Sequence, residues 1–400
     1  MDSLITKSTL LDGIVVLDAT QVMAGPYCAM LLADMGARVI KVEPPAGDST
    51  RSMAGAHGND SPAFNAVNRG KQGIILDLNH EKGRAVFKRL ARLSDILVEN
   101  YRPGVMAKFG LDYASLGAEN PRLIYASISG HGQSGPWASK GGFDLIAQGL
   151  SGVMSVTGTA EGEPVKAGVP LTDLGAGLFA LIGVLAALHH RSKSGQGQHV
   201  DTSLVDAGLA LSVWEVTDYF ASGNVPRPLG SAHRMTAPYQ AFKCADGHIT
   251  IGAANDRNFA KLARVLGRHE WITDPRFVAD HQRVAHREEL AGLIEDVTSK
   301  EPRGFWIAEL EKAGIPCGPI LDYEDALTTP QAIAREMTVD VEHPTLGKLR
   351  TLGTPIKMSA TPLNPRRRGP MLGEHTDDVL AEAGYSQDEI EQLRYAGAVA

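Results

Sequence analysis

The residue with the clearest chemical potential is a single carboxylate, Asp173, which lies between a turn and an apolar run. It follows Pro170 and precedes residues 174–188, where no charged side chain occurs. If that run is a buried helix, Asp173 lies in its first turn, accepts backbone N–H bonds and stays ionised beside the positive end of the helix dipole. Such a carboxylate can be a helix cap, or a nucleophile toward a carbonyl if a substrate reaches it. The spacing leaves both roles open, and capping is the commoner one.

Other compact catalytic motifs do not fit their expected contexts. Residues 130–135 read Gly-His-Gly-Gln-Ser-Gly, a G-x-G-x-x-G pattern after a predicted strand. Pro136 follows at once, so the third glycine does not open a helix that could hold a pyrophosphate. Ser134 lacks the G-x-S-x-G setting of a hydrolase nucleophile, and neither HExxH nor a P-loop lysine motif occurs. The sequence therefore argues against a nicotinamide or flavin site, a serine hydrolase and a metal centre.

Composition limits the class of protein. The 400 residues are 43% hydrophobic and 21% charged, which is enough for two domains with a sizeable core. A net charge of −7 argues against a general nucleic-acid surface. Cys28, Cys244 and Cys317 are too few and too scattered for a disulfide framework or a zinc ribbon. The longest apolar run is shorter than the roughly 20 residues of a membrane span, and no secretion signal is evident. We expect a cytoplasmic protein without a membrane segment.

Strand and helix patterns alternate through the first part of the chain. Strands are predicted at 14–17, 38–42, 74–78, 96–98 and 123–128, with helices at 26–35 and 81–93 between them. Such alternation indicates a parallel sheet covered by helices. The fold class is therefore α/β, with a large domain over residues 1–220.

A second pattern begins after about residue 220. Asp246-Gly247 separates two strand-like segments, 239–243 and 248–252, which predicts a hairpin. Helical segments follow near 258–266, 288–298 and 304–313. We expect a smaller α+β domain over 221–330 and a C-terminal segment, 331–400, that returns to the large domain and ends in a Ser386-capped helix.

Seven sequence blocks, in order, resemble the family III CoA-transferases, which include formyl-CoA and carnitine CoA-transferases. The blocks are LDATQVMAGP (17–26), GARVIKVE (36–43), NRGK (68–71), VENYRPG (98–104), GQSGP (132–136), GQGQ (195–198) and LGEHT (372–376). The resemblance covers nearly the whole chain. It implies a Rossmann-like large domain with a parallel sheet, a smaller α+β domain and an interlocked homodimer whose active sites draw on both chains.

The resemblance also implies a role for Asp173. In such enzymes the aspartate attacks an acyl-CoA thioester, and an aspartyl anhydride and then an aspartyl-CoA thioester follow before CoA passes to an acceptor acid. Backbone N–H groups near Gly175 could stabilise the oxyanions. Coenzyme A is the only co-substrate expected, with no further cofactor and no metal.

The family's CoA contacts carry over by position. They fall on Met23, Ala24, Leu76, Asp77, Leu78, Asn79, Asn100, Tyr101, Arg102, Lys108, Gly141, Gly142, Phe143 and Asp144. Arg102 and Lys108 have the charge to meet phosphates, although for either cation alone a solvated surface role is the safer interpretation. Leu76, Leu78 and Tyr101 are placed to flank the adenine or the pantetheine arm.

Departures from related enzymes narrow the expected substrates. Phe143 stands where the α-methylacyl-CoA racemases carry a histidine, and phenylalanine cannot exchange a proton. Met23 and the segment 230–233 differ from formyl-CoA transferase, which argues against formate and oxalate. Segments 230–233, 238–243 and 252–255 look most like the enzymes that move CoA from succinyl-CoA to glutarate or related dicarboxylates.

His233 and Arg234 are candidates for binding the acceptor's distal carboxylate, and they are equally readable as solvated loop residues. Two alternatives to a transferase stay open from the sequence. One is an acyl-CoA racemase or epimerase that uses a different base, and the other is a non-catalytic CoA-binding protein in which Asp173 is only a cap.

Overall fold

The structure is a computed structural model that describes residues 9–53 and 55–400. Its strands are β1 (Val15–Ala19), β2 (Arg38–Glu43), β3 (Gln72–Ile75), β4 (Ile96–Glu99), β5 (Ile124–Ser129), β6 (His199–Ser203), β7 (Tyr239–Cys244), β8 (Gly247–Gly252), β9 (Cys317–Pro319), β10 (Thr338–His343) and β11 (Gly347–Leu352). Its α-helices are α1 (Ala24–Asp34), α2 (Pro62–Asn68), α3 (Glu81–Arg92), α4 (Val105–Phe109), α5 (Tyr113–Glu119), α6 (Asp144–Leu150), α7 (Val153–Val156), α8 (Leu171–Ser194), α9 (Leu204–Leu211), α10 (Val213–Ser222), α11 (Asp256–Val265), α12 (Asp280–Ala285), α13 (Arg287–Thr298), α14 (Arg303–Lys312), α15 (Tyr323–Thr328), α16 (Pro330–Ala334), α17 (Thr376–Glu382) and α18 (Gln387–Tyr395).

The chain folds into two compact units. Unit 1 contains the chain up to Val153, then Ala167–Ser212 and Pro330–Ala400, whereas unit 2 contains Met154–Lys166 and Val213–Thr329. The sequence predicts the first boundary near residue 220 and gives no sign that 154–166 belongs with the second unit. The composition change on which that prediction rests lies a few residues beyond the point where the chain leaves unit 1.

Unit 1 is built on a six-stranded parallel sheet, as the alternating pattern predicts. The strand order is β3-β2-β1-β4-β5-β6. The order reverses between β1 and β4, which pair from Val16 opposite Ile96 to Ala19 opposite Glu99. In open sheets of this kind, ligands bind beyond the carboxyl ends of the strands at the reversal point. The topology therefore directs attention to the loops after β1 and β4.

Helices cover both faces of this sheet. On one face α1 and α8 contribute Leu32, Ala180 and Val184 to a core with β1, β4 and β5. On the other face α3 buries Val86, Phe87 and Leu90, while its charged residues face outward. Burying side chains of this size stabilises the fold by about 1.5–3 kcal/mol each relative to exposure. The two apolar layers hold the strand ends in fixed positions.

The observed helix starts explain small departures from the sequence predictions. Helix α1 begins at Ala24, two residues before Pro26, because a proline in the first turn removes no intrahelical hydrogen bond. Helix α18 follows the predicted cap, since Ser386 and Glu389 form a reciprocal capping box. Strand β3 ends at Ile75 instead of continuing to residue 78, and Leu76 forms an isolated bridge with Val399.

Helix α8 is the longest helix in the described part of the chain. It runs for 24 residues, with a mean hydropathy of 2.0 over its most apolar stretch, and by length and composition alone it could cross a membrane. It packs against α1, α9, β5 and β6, as a core helix does. Its outer face leaves Phe179 and Ile182 exposed, the latter by 60%.

Unit 2 has its own sheet and core. The predicted hairpin is observed: β7 and β8 pair antiparallel around Asp246-Gly247, and β9 adds to β8. Helices α11, α13 and α14 bury Phe259, Ile294 and Trp306 against Phe242 and Ile249 of the sheet. Since this core is separate from that of unit 1, the α+β architecture of the second unit follows from its own sequence.

Candidate active site

A cavity of about 300 Å³ opens at the reversal point of the parallel sheet. It is formed by the loops after β1, β4 and β5 and by the starts of α1 and α8. Its lining consists of Gln21, Val22, Met23, Ala24, Asn100, Tyr101, Arg102, Ile128, Ser129, Gly130, Gly142, Phe143, Asp173 and Leu204. Seven of the residues predicted to contact CoA line this cavity together with Asp173: Met23, Ala24, Asn100, Tyr101, Arg102, Gly142 and Phe143.

The loop after β1 is held in an unusual conformation. Val22 has a φ of +69°, a left-handed value that is rare for a β-branched residue. The side chain of Asn100 holds Gln21, the residue before Val22, by two hydrogen bonds. Its Oδ1 accepts from the Gln21 N–H at 2.8 Å, and its Nδ2 donates to the Gln21 carbonyl at 2.7 Å. Asp48 accepts from the Val22 N–H at 3.3 Å. The side chain of Asn100 thus fixes the cavity wall, a role that sequence spacing does not reveal.

Two buried ion pairs hold this loop from the interior of unit 1. Lys71 donates to Asp18 at 2.8 Å and to the Pro26 carbonyl at 3.0 Å. Lys41 donates to Asp48 at 3.0 Å and to the Thr20 carbonyl at 2.9 Å. Burial lowers the pKa of Lys71 to about 8, although Asp18 opposes the shift. These lysines are buried inside unit 1, so they position the loop and do not face the cavity.

The end of β4 carries a second buried acid. Glu99 is 4% exposed and accepts from the Tyr101 N–H at 2.8 Å. Burial raises its pKa to about 7, although hydrogen bonds from Ser127 and Tyr101 oppose the shift. This bond fixes the backbone that carries Tyr101 and Arg102 into the cavity.

Close packing of α1 on α8 brings Asp173 to the cavity. A methyl group added at Gly177 would lie 2.5 Å from the carbonyl oxygen of Ala24, well inside van der Waals contact. Only glycine permits this approach of the two helix starts. Asp173, four residues before Gly177 on the same helix face, is thereby placed beside Met23 and Ala24.

Of the two roles that the sequence leaves open for Asp173, the structure excludes the helix cap. The residue at the N-cap position of α8 is Pro170, and no side chain of the helix's own start provides a cap. The acceptor comes from Asp144, whose Oδ1 accepts from the Thr172 N–H at 3.0 Å and the Asp173 N–H at 3.4 Å. Across residues 9–53 and 55–400 we find no hydrogen bond to the Asp173 carboxylate. That carboxylate is therefore available to a ligand.

The pKa of Asp173 is shifted in the direction opposite to that expected at a helix start, although the carboxylate stays ionised at pH 7 as expected. Burial raises its pKa to about 6, and the neighbouring Asp144 adds to the shift. A helix start and its dipole would lower the pKa, but here desolvation dominates. The carboxylate is mostly ionised at pH 7 and is more basic than an exposed aspartate.

The remaining predicted CoA contacts are absent from the lining of this cavity. Leu76 and Leu78 are 1% and 7% exposed, because both side chains belong to the core beside α3. Any ligand at this strand end meets mainly the backbone and polar groups of Asp77 and Asn79. Lys108 lies in the last turn of α4, and Gly141 packs close to the Arg102 guanidinium. Asp144 points toward α8.

A second cavity, of about 330 Å³, lies within unit 2 and contains both predicted acceptor contacts. His233 and Arg234 line it with Glu215, Ser231 and Tyr239. The imidazole of His233 stacks on Tyr239 and meets the edge of Trp214, each at a centroid distance of 5.2 Å. These ring contacts fix the histidine, so it is not a freely solvated loop residue.

Two arginines meet behind this second cavity. Arg287 donates to the Arg234 carbonyl at 2.7 Å, and Arg234 donates to the Arg227 carbonyl at 2.7 Å. The Nε atoms of Arg234 and Arg287 are both buried with no hydrogen-bond partner in the part of the chain that is described. Burial lowers the pKa of Arg287, and the charge of Arg234 lowers it further. Sequence reasoning identified Arg234 and missed Arg287, which lies over fifty residues away.

The comparisons with known proteins agree with the geometry. The model of CoA-transferase family III matches residues 11–376. The chain is 41% identical to the succinate–glutarate CoA-transferase of Agrobacterium fabrum over 93% of this chain and 95% of that protein. It is 41% identical to the acetyl-CoA:oxalate CoA-transferase of Acetobacter aceti over 87% and 89%. A CAIB/BAIF family protein from Brucella suis superposes with a TM-score of 0.82 at 40% identity, covering 94% of this chain and 100% of that one.

Proposed function

The chain belongs to CoA-transferase family III and is a CoA-transferase, and from this premise we propose that it moves CoA from succinyl-CoA to a small dicarboxylic acid, with Asp173 as the nucleophile. One observation carries the assignment of Asp173. Its carboxylate lies in the cavity at the sheet reversal point, partly buried and without a protein partner among the residues that the structure describes. Similar relatives are named for succinyl-CoA, glutarate or oxalate, which supports the substrate class.

The chemistry needs one carboxylate and no metal. An Asp173 oxygen attacks the thioester carbonyl, the C–S bond breaks, and CoA thiolate leaves an aspartyl–succinyl anhydride. The thiolate attacks the aspartyl carbonyl, succinate departs, and an aspartyl-CoA thioester forms. The acceptor carboxylate then displaces the thiolate to give a second anhydride. Attack of the thiolate on the acceptor's carbonyl releases the new acyl-CoA and regenerates the Asp173 carboxylate.

Oxyanions in these steps need donors beside Asp173. Gly175, the donor expected from the sequence, is packed against Ala207 and Leu211 of α9. The first turn of α1 is better placed, because Met23 and Ala24 line the cavity and the helix start has no side-chain cap. We therefore assign the donors to the backbone N–H groups at the start of α1, where the helix dipole also favours negative charge.

The unit 2 cavity supports a dicarboxylate acceptor. Arg234 and Arg287 are half-buried and carry like charges, and each has a buried Nε donor with no partner among the described residues. A carboxylate would satisfy both the charge and the donors, with His233 fixed beside it. We propose that this cavity binds one carboxylate of the acceptor. The glutarate and oxalate relatives share a second carboxylate and differ in chain length, so oxalate belongs in any acceptor test despite the sequence-based argument against it.

We also propose a homodimer, as the family resemblance implies. Exposed apolar side chains on α8 and α10 support it, since Ile182 is 60% exposed and Phe220 is 77% exposed. Light scattering coupled to size-exclusion chromatography should give a mass of about twice the 42.6 kDa of one chain. A monomer at micromolar concentration would contradict this assignment without touching the chemistry.

The function is tested by incubating the protein with succinyl-CoA and single acids, and by following new CoA thioesters by chromatography and mass spectrometry. Glutarate, oxalate and other dicarboxylates should yield products, whereas monocarboxylates of equal length should react poorly. Solvent deuterium appearing at the α-carbon of a branched acyl-CoA, without CoA exchange, would identify a racemase instead. Tight CoA binding with no exchange against any acid would identify a binding protein.

A further inference from the structure

Asp144 connects two helix starts. It is the first residue of α6, and its side chain reaches α8, which begins 27 residues later in the chain. Its Oδ1 accepts from the Thr172 hydroxyl at 2.7 Å and from the Thr172 N–H at 3.0 Å. The Asp173 N–H adds a longer contact of 3.4 Å. Asp144 thus accepts from N–H groups in the first turn of α8. In many helices a capping side chain at the helix's own start accepts from these groups.

The other oxygen of Asp144 is held from its own helix. Gln148 is fully buried and donates from Nε2 to Asp144 Oδ2 at 2.7 Å. The Oε1 of Gln148 accepts from the Ala167 N–H at 2.8 Å, in the segment that leads into α8. Both carboxylate oxygens therefore have protein partners, and Gln148 ties α6 to the segment that leads into α8.

We propose that Asp144 is a positioning residue, which caps α8 from outside that helix and so leaves the Asp173 carboxylate unpaired and directed into the cavity. The proposal rests on the proposed function, because a free carboxylate matters only if Asp173 attacks a substrate. This role differs from the CoA contact that the family resemblance implies for Asp144. Asp144 is absent from the lining of the cavity, and its polar atoms are already engaged.

Two effects of Asp144 can be separated by mutation. As an acceptor it holds the first turn of α8, and asparagine keeps this ability because its Oδ1 caps about as well as aspartate. As a charge it adds to the effect of burial on the pKa of Asp173. Asp144→Asn removes the charge and the Oδ2 acceptor for Gln148 but keeps the Oδ1 acceptor that faces α8, whereas Asp144→Ala removes the charge and both acceptors.

The first readout is steady-state transfer from succinyl-CoA to glutarate. Asp144→Ala should lower kcat by about 10- to 100-fold with KM for succinyl-CoA changed less than about threefold, because a displaced nucleophile fails in the chemical step. Asp144→Asn should recover kcat to within about fivefold of the wild type and move the acid limb of the pH profile to lower pH. Asp322→Ala, which removes a helix cap in unit 2, controls for general loss of a cap.

The second readout does not depend on CoA chemistry. Labelling of Asp173 by a water-soluble carbodiimide and an amine, quantified by peptide mass spectrometry across pH, reports the accessibility and protonation of this carboxylate. Its midpoint should fall in Asp144→Asn, and its extent should change in Asp144→Ala. Equal kcat in the Ala and Asn variants, or an unshifted midpoint in Asp144→Asn, would overturn the positioning role. Expected labelling without any CoA exchange would overturn the proposed function alone.

Discussion

Two carboxylates in unit 1, Asp18 and Asp173, differ in how far they are buried and in whether they have hydrogen-bond partners. Asp18 is fully buried at the end of β1 and accepts from Lys71 Nζ at 2.8 Å and from the Thr20 N–H at 3.0 Å. Asp173 lies in the first turn of α8, and no donor to its carboxylate is found among residues 9–53 and 55–400. The protein pairs the acid that fixes a loop and leaves unpaired the acid that faces a cavity. An unpaired carboxylate is costly to bury, which makes it a candidate for chemistry.

The largest expected effect is the loss of transfer activity when Asp173 is replaced. Asp173→Asn should lower transfer from succinyl-CoA by more than about 10³-fold, because the amide cannot attack the thioester. The fold should persist, since no residue in the described part of the chain donates a hydrogen bond to that carboxylate. Thioester exchange and far-ultraviolet circular dichroism are measured on the same sample. An Asn variant with more than a tenth of wild-type activity, with deamidation excluded by mass spectrometry, would contradict the nucleophile assignment.

The corresponding change at Asp18 should act on stability. Asp18→Asn leaves the Lys71 ammonium buried without its counter-charge, and breaking a buried pair in this way costs about 3–5 kcal/mol. Urea unfolding gives the difference. The double variant Asp18→Asn/Lys71→Met removes both charges and should lose less than the sum of the two single changes. Strict additivity would mean that Asp18 and Lys71 do not stabilise each other.

A smaller loss is expected where α1 meets α8. Gly177→Ala places a methyl group against the Ala24 carbonyl and should cost about 1–3 kcal/mol while lowering kcat, because the helix starts must separate. Gly292→Ala in α13 is the matched control, since nothing lies within 4 Å of the added methyl group. That change should stabilise unit 2 by about 0.5–1 kcal/mol. Equal effects of the two substitutions would show that the close approach at Gly177 is not needed.

The smallest expected effect is the pH dependence of stability at Asp173. The folded-state pKa of Asp173, raised to about 6, exceeds its ordinary value of 3.8, so the folded protein binds this proton more tightly than the unfolded chain. The ionised group therefore destabilises the fold above about pH 6, and the penalty disappears below about pH 4. Asp173→Asn should be more stable than the wild type by about 1–2 kcal/mol at pH 7. This gain in stability should vanish at about pH 4. A stability difference between the variant and the wild type that grows as the pH falls would contradict the raised pKa of Asp173. Transfer by the wild type should lose activity below about pH 6.

Much of the framework follows from local patterns. The strands before α1 and α3 and the hairpin at Asp246-Gly247 have strong apolar periodicity or turn chemistry, and the structure places them within a few residues of the predicted bounds. Strand β6 escaped prediction because His199–Ser203 alternates exposed and half-buried residues at the sheet edge. Its apolar content is too low to signal a strand.

The site itself was only partly predictable. Asp173 stands out by its place before an apolar run, and the family resemblance supplies its role, whereas the cavity-lining residues Asn100 to Arg102 lie in the contiguous block 98–104. The capping of α8 by Asp144, the hold of Asn100 on Gln21 and the meeting of Arg234 with Arg287 join residues between 28 and 79 positions apart. No spacing rule in a single sequence detects such pairs, since the folded topology brings them together.

The pairing of Leu76 with Val399 has a consequence for synthesis on the ribosome. Strand β3 is one of the two outer strands of the parallel sheet. The chain just after it is covered when Leu76 bridges Val399 and the Asp77 N–H donates to the Ala398 carbonyl. These partners are translated more than 300 residues later, after all of unit 2. During most of its elongation the nascent chain therefore leaves this edge of the sheet unprotected. Such an edge can bind chaperones or pair wrongly with neighbouring chains made on the same mRNA.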